Sequence, residues 1–273
     1  MHLESSTIAD GLQTYATFNA LIFMDEGILV GDSTDQPLLP LKASAEAAQL
    51  DIHCLHVDGA TVIVKGQSKL TITQLRHLGF AVYPVRAFLT QLDETLQHLI
   101  LRAYHWLNWD AQTRYCGQCG HPLDSQCDVI VKQCRRCNQQ VFPRFSPAIM
   151  VLIQRQNEIL LARSPHFKPG VYSAIAGFIE MGETAEQAVH REVQEELGLQ
   201  ITQLTYFHSQ SWPFPDSFMI AFTANYLAGE LVMDPGEIED AQWFGLTDLP
   251  KLPMSSSIAR RLIDSVRLSK KDR

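Results

Sequence analysis

Apolar residues recur along this chain with two periods, and the switches between them mark its elements. Leu21-Ile22-Phe23-Met24 and Gly27-Ile28-Leu29-Val30 predict a strand, turn and strand. Ile52–Val57 and Ala60–Val64 predict a second pair hinged at Asp58-Gly59, a dipeptide suited to tight hairpins. Leu92 to Trp109 has helical spacing, with Leu92, Leu96, Leu99 and Ala103 on one side. Ala148–Ile153 predicts a buried strand and Glu158–Ala162 its hairpin partner, with Tyr172–Gly177 leading onward. Tyr206–Ser209 and the alternating run Ser217–Tyr226 predict two further strands. Ala241–Phe244 adds one more, Ile258–Val266 a closing helix, and the last four residues a frayed tail.

The most informative helix begins at Thr184, an N-cap with Gln187 three residues on, and stops at Gly198. Val189, Val193 and Leu197 share the stripe that would face a core. Glu192, Glu195 and Glu196 fall on a neighbouring arc. Like charges at this spacing repel by a few tenths of a kcal/mol even on an exposed helix. A hard divalent cation with oxygen ligands would offset that repulsion; a solvated acidic face is the plain alternative.

At 273 residues the chain has room for two domains, or one domain and a module. Its 46% hydrophobic and 19% charged content is that of a globular enzyme. No run of 18 or more apolar residues occurs, and the opening MHLESSTIAD has neither a basic nor an apolar leader region. The expectation is a cytoplasmic protein that does not engage a membrane. A net charge of −8 argues against a general nucleic-acid binder, although not against binding of one nucleotide end.

Cys116-Gly-Gln-Cys119 and Cys134-Arg-Arg-Cys137 form two C-x-x-C knuckles separated by 14 residues. Four thiolates at this spacing predict a closed tetrahedral zinc site, structural rather than catalytic. Two disulfides are the rival reading, disfavoured for a cytosolic chain. Cys54 and Cys127 read as ordinary thiols, and His53 and His56 as strand residues. Lys132, Arg135 and Arg136 make a weak basic patch beside the knuckles. The segment Ser209-Gln210-Ser211-Trp212-Pro213-Phe214-Pro215-Asp216-Ser217 predicts a stiff loop with flat side chains at fixed angles. It reads either as a stacking surface for a base, with Gln210 and Ser217 hydrogen-bonding the ligand, or as a structural cis-proline corner.

The stretch Gly177–Leu199 resembles the Nudix box: Gly177, Glu183, Arg191, Glu192, Val193, Glu195, Glu196, Gly198 and Leu199 fill all of its fixed places. The 209–217 segment resembles the loop that marks the NADH pyrophosphatase branch of that family, with Ser211 where the branch has proline. The resemblance implies an α+β protein. Its parts would be a separate N-terminal α/β domain (residues 1–108), a four-cysteine zinc ribbon (109–141) and a Nudix α/β/α sandwich (142–273).

It further implies magnesium or manganese on the carboxylates of Glu192 and Glu196, with Glu195 a third ligand or the base for water. Glu237 and the carbonyl of Ala176 would join that ligand set, and Glu183 would orient the box, paired with Arg191. Substrate would be bound by Phe142, Gln210, Ser211, Trp212, Pro213, Phe214, Pro215, Asp216, Ser217, Ala259 and Arg76. The implied reaction is hydrolysis of the pyrophosphate of NADH or NAD+ to NMN(H) and AMP, together with removal of NAD caps from RNA 5′ ends. A broader dinucleotide hydrolase acting on ADP-ribose or diadenosine polyphosphates is the alternative, and a non-catalytic zinc-ribbon module a more distant one. The branch is typically homodimeric, and Tyr104, Trp106 and Trp109 are the residues expected at such an interface.

Overall fold

The computed structural model describes residues 18–31, 37–58, 60–123 and 131–269. Gly59, Cys127 and the four C-terminal residues lie outside them, as does the side chain of Cys54. The chain divides into two compact units, residues 1–144 and 145–273.

In the first unit, β1 (Asn19–Met24) and β2 (Gly27–Gly31) form the expected antiparallel pair. β4 (Leu50–Asp58) and β5 (Thr61–Ser68) form another, closing at Asp58 opposite Thr61. The pairs join because β5 runs parallel to β1. Short β3 (Leu39–Pro40) and β6 (Phe80–Tyr83), which the apolar pattern does not announce, pair with β1 and β2. Three short helices lie between and after these strands: α1 (Leu41–Ala47), α2 (Ile72–His77) and α3 (Val85–Phe88).

The long helix α4 (Glu94–Gln112) starts two residues later and ends three later than its sequence pattern predicts. Asp93 is its N-cap, accepting a hydrogen bond from Leu96 N at 3.0 Å. Because alternate residues of β1 are buried on both faces, the sheet is covered on each side. Ala20 and Ile22 pack with Leu41 and Leu75, and the Phe23 ring lies 6.2 Å from that of Tyr104 on α4.

That burial corrects one expectation. Trp106 and Trp109 are buried rather than displayed at an interface. Trp106 stacks on the buried His56 with ring centroids 4.2 Å apart, and Trp109 lies under the Lys132 ammonium at 5.2 Å.

In the ribbon, β7 (Lys132–Gln133) and β8 (Gln140–Val141) form a short antiparallel pair. The second unit is a layered sandwich. Its sheet has the order β12 (Gln200–Trp212), β13 (Ser217–Ala228), β9 (Ser146–Arg155), β10 (Glu158–Arg163), β14 (Asp240–Gly245), and β11 (Ile175–Phe178) also pairs with β9. The β9–β13 pairing is parallel and the others are antiparallel. The two-residue period of β9 sorts the layers. Ile149, Val151 and Ile153 face the core with Val189, Val193 and Leu197 of α5 (Ala185–Leu197). Met150 and Leu152 face the opposite core with Ala259, Leu262 and Ile263 of α6 (Ile258–Ser269). No helix among the described residues is long and apolar enough to cross a membrane.

Candidate active site and metal centres

Helix α5 is built to present acids. Thr184 Oγ1 accepts from Gln187 N at 3.2 Å while Gln187 Oε1 accepts from Thr184 N at 2.8 Å, closing the capping box. At the other end Gly198 takes φ +67°, a left-handed stop that favours glycine. With both ends fixed and Val189, Val193 and Leu197 fully buried, the rotation of the carboxylate arc is set by packing.

Arg191 organises that arc. Its Nε donates to Glu183 Oε1 at 2.7 Å and one terminal nitrogen to Glu183 Oε2 at 3.0 Å, a two-pronged pair. The other terminal nitrogen reaches Glu192 Oε1 at 2.9 Å and Glu195 Oε2 at 3.0 Å, and the Phe178 carbonyl accepts a further bond at 2.9 Å. One guanidinium thus ties the loop before the helix, the end of β11 and two of the three acids together. Glu183 also accepts from Glu180 N, and the Arg191 hydrogen bond holds its carboxyl below the usual carboxylate range. Its orienting role is therefore visible in the geometry.

Glu196 differs from its neighbours. It is 8% exposed, and among the described residues no donor or cation is recorded on its carboxylate. Burial, then the charges of Glu192, Glu237, Asp234 and Glu195, push it up to about 8. Burial also raises Glu192, against the downward pull of Arg191. An acid surrounded by acids, with a deficit of positive charge, is the electrostatic setting a divalent ion fills. The donor set is all oxygen, as magnesium or manganese requires.

Glu237 lies in the loop after β13, near enough to Glu196 for its charge to raise that carboxyl. Asp234 N donates to the Glu196 carbonyl at 2.9 Å and Val232 N to the Leu197 carbonyl at 2.9 Å, so the loop is laced to the last turn of α5. Ala176 is exposed on β11 beside Gly177.

The aromatic segment is shorter as a loop than the sequence predicts. β12 continues to Trp212 and β13 starts at Ser217, leaving residues 213–216 as the tip of a hairpin. The Phe214–Pro215 peptide is cis. The Trp212 and Phe214 rings meet edge to face at 5.1 Å, and Ser146 N donates to the Asp216 carbonyl at 2.9 Å. Trp212 and Ala259 belong to the same apolar cluster on the α6 side of the sheet. Pro213 and Ser217 are buried, Ser211 is half-buried and Pro215 exposed.

Gln210, expected from sequence as a ligand contact, is buried and bonded within the protein. Its Nε2 donates to the Ser256 carbonyl at 2.9 Å and its Oε1 accepts from Ile258 N at 2.7 Å. It fastens the hairpin to the start of α6. Phe142, 62% exposed, and Arg76, in the last turn of α2, lie in the first unit.

The four cysteines of the ribbon converge. All four sulfur atoms lie within 4.8 Å of one another, with Sγ–Sγ distances of 3.6 Å for Cys116–Cys137 and 3.5 Å for Cys119–Cys134. A disulfide needs about 2.05 Å, so the disulfide reading falls. Four sulfurs each about 2.3 Å from a central zinc would stand roughly 3.8 Å apart, which this cluster fits.

The knuckles are near copies. Gly120 N donates to the Cys116 carbonyl and Asn138 N to that of Cys134. Burial works against ionisation of Cys134, but the backbone N–H groups of Cys137 and Arg136 outweigh it and bring the thiol down to about 6. Lys132, read from sequence as surface basic charge, is buried instead. Its ammonium binds the Asp110 and Thr113 carbonyls at 2.9 and 2.8 Å and Asp110 Oδ1 at 2.9 Å, joining the ribbon to the end of α4.

Residues 144–266 match the NUDIX domain family. The chain is 48% identical over 186 residues to the NAD-capped RNA hydrolase NudC of Pseudomonas aeruginosa strain LESB58, covering 68% of this chain and 67% of that protein. It is 49% identical over 180 residues to the protein of the same name from Chromobacterium violaceum, covering 66% of this chain and 68% of that one. Among solved structures, a NUDIX hydrolase from Nitrosomonas europaea aligns over 59% of this chain and 92% of its own, with 21% identity and a TM-score of 0.47.

Proposed function

The chain belongs to the Nudix hydrolase family, and from that membership we propose that it hydrolyses the pyrophosphate bond of NADH and NAD+, giving NMN(H) and AMP, and removes NAD caps from RNA 5′ ends. The identity to two proteins named NAD-capped RNA hydrolase supports this substrate class. The observation that carries the hydrolytic reading is Glu196, buried among Glu192, Glu195, Asp234 and Glu237 with its carboxyl pushed up to about 8. The reaction class requires charge neutralisation at that point.

In this reading magnesium or manganese is held by Glu192, Glu196 and Glu237, with Glu195 and the Ala176 carbonyl completing the set. When bound, the ion neutralises diphosphate oxygens and makes a water molecule a stronger acid. The chain's own part is positioning. Arg191 fixes Glu192 and Glu195, Gly177 makes room for Glu192, and the Trp212–Phe214 hairpin offers flat apolar surface to a base. Gln210 acts by holding that hairpin to α6, with Ala259 beside it. Phe142 and Arg76 are proposed as substrate contacts on the family resemblance alone.

The ribbon cysteines hold a structural zinc, with no open position for chemistry. A four-cysteine zinc site, rather than disulfides, is the form a reducing compartment favours, so a cytoplasmic location belongs to the proposal, as does the homodimer typical of the NADH pyrophosphatase branch the chain resembles. Residues 1–108, 109–141 and 142–273 are the proposed N-terminal, ribbon and hydrolase segments.

The deciding experiment is a product assay with manganese across NADH, NAD+, ADP-ribose and NAD-capped RNA, on wild type, Glu192→Gln and Glu196→Gln. NMN(H) release that drops by several orders of magnitude in both variants supports the proposal. Equal turnover of NADH and ADP-ribose would instead favour a general dinucleotide hydrolase.

A further inference from the structure

Three backbone hydrogen bonds and one to its side chain converge on Asp234. Its N–H donates to the Glu196 carbonyl at 2.9 Å, and its own carbonyl accepts from Ile238 N at 2.8 Å and Glu237 N at 3.2 Å. Its side-chain Oδ1 accepts from Gly236 N at 2.8 Å. The residue therefore does two things at once. It docks the loop on the last turn of α5 at Glu196 itself, and its carboxylate closes an Asx turn that sets the backbone of Glu237 three residues on. Beyond Glu237, Ile238 is buried in the core shared with Val193 and Leu197, and Glu239 N donates to the Arg163 carbonyl at 2.8 Å. Arg163 returns a salt bridge to Glu239 at 2.5 Å. Glu237 is exposed between two fixed points, and its charge is felt at Glu196, so the turn on its N-terminal side governs how its carboxylate is presented to that residue.

We propose that Asp234 is a positioning residue for the divalent-ion site, holding Glu237 at a set approach to Glu196 through its Asx turn rather than by ligating the ion. This rests on the reading that Glu192, Glu196 and Glu237 hold that ion. The distinction is chemical. An asparagine oxygen accepts the Gly236 N–H as well as a carboxylate does, whereas alanine has no acceptor.

The test uses the full zinc-loaded chain and measures bound against free Mn2+ by electron paramagnetic resonance, without substrate. Asp234→Ala is expected to weaken Mn2+ binding about tenfold, in the range for removing a group that orients a ligand. Asp234→Asn should stay within about threefold of wild type, and Asp234→Ala should add nothing to Glu237→Gln, because it acts through that residue.

An Asp234→Asn variant as weak as Asp234→Ala would make the carboxylate's charge the active feature and overturn the proposal. So would wild-type affinity in Asp234→Ala or Glu237→Gln. Weakened Mn2+ binding in Asp234→Asn overturns the proposal even where Asp234→Ala does not fold. A wild-type chain that binds Mn2+ in this pattern yet leaves NADH intact would defeat the proposed substrate while leaving this inference standing.

Discussion

The carboxylate of Glu192 occupies the space that a side chain on Gly177 would need: a Cβ there would lie 2.0 Å from Glu192 Cδ and Oε1 and 2.5 Å from Oε2. The backbone of Gly177 is not in the left-handed region, so the demand for glycine is spatial. The obstructing atoms are the end of a side chain, which can swing away without disturbing the fold. Gly177→Ala should therefore move Glu192 by an ångström or more and lower kcat about 100-fold, while Tm changes by only a few degrees. Full activity in Gly177→Ala would show that Glu192 does not need its present place.

Glu196 makes stability depend on pH with a sign opposite to that of an ordinary paired carboxylate. Its folded value of about 8 lies above the unaffected 4.5, so between those limits the folded chain binds a proton the unfolded chain has released. Stability then falls as pH rises from about 5 to 8. Glu192 is raised too and acts in the same direction, whereas Glu183 is lowered and loses its contribution only on the acid side. In protein dialysed free of magnesium and manganese, Tm should decline from pH 5.5 to 8, less steeply in Glu196→Gln. Saturating Mn2+, which binds the ionised form, should remove the decline. A flat profile in the ion-free wild type would contradict this electrostatic picture.

The legible and illegible parts of this chain divide by the range of the interactions that fix them. Helix α5 was readable because its determinants are local: Thr184 and Gln187 cap it, Gly198 stops it, and one apolar stripe faces the core. The four cysteines were readable because zinc demands a fixed spacing. By contrast, Lys132 and Trp109 look like surface residues in sequence, and only the packing of the ribbon on the end of α4 buries them. Gln210 is similar, since its partners Ser256 and Ile258 lie more than 40 residues on. Asp234 carried a weak local signal, the turn-forming Asp-Pro-Gly, but nothing that tied it to Glu196. Short β3 and β6 contain too few residues to show a period and exist because β1 and β2 offer edges to pair with.

Arg191 should be irreplaceable by lysine. Its guanidinium serves five acceptors at once, on Glu183, Glu192, Glu195 and the Phe178 carbonyl. An ammonium has three donors and no flat fork. Arg191→Lys keeps the charge, so any loss reports geometry. We expect kcat to fall at least tenfold, with a loss of about 1–3 kcal/mol in unfolding free energy, below the cost of breaking a fully buried pair because the site is partly exposed. Glu183→Gln should be milder in kcat, since it leaves Glu192 and Glu195 tethered. Chemical denaturation and steady-state kinetics on both variants would check this, and near-wild-type kcat in Arg191→Lys would remove the guanidinium from the catalytic argument.

Zinc and Lys132 should form one stability unit. The ribbon has a small core of its own, in which Leu123 packs with buried Cys116 and Cys134. A module of this size needs a metal to stay folded. Lys132 leaves the ribbon and satisfies two carbonyls at the end of α4, where a cation also complements the helix dipole. Loss of zinc should therefore free Lys132 and expose the end of α4 as well as the ribbon. Cys134→Ser is expected to lose bound zinc, counted by metal analysis, and to lower the Tm of the first unfolding transition. Lys132→Met, similar in length but unable to donate, should retain zinc yet lower the same transition, by about 2–4 kcal/mol for carbonyls and an aspartate left without their partner. Chemistry should outlast both changes, because the acids of α5 are held by Arg191 and not by the ribbon. A Cys134→Ser protein free of zinc with an unchanged first transition would break the link between the metal and the fold of this unit.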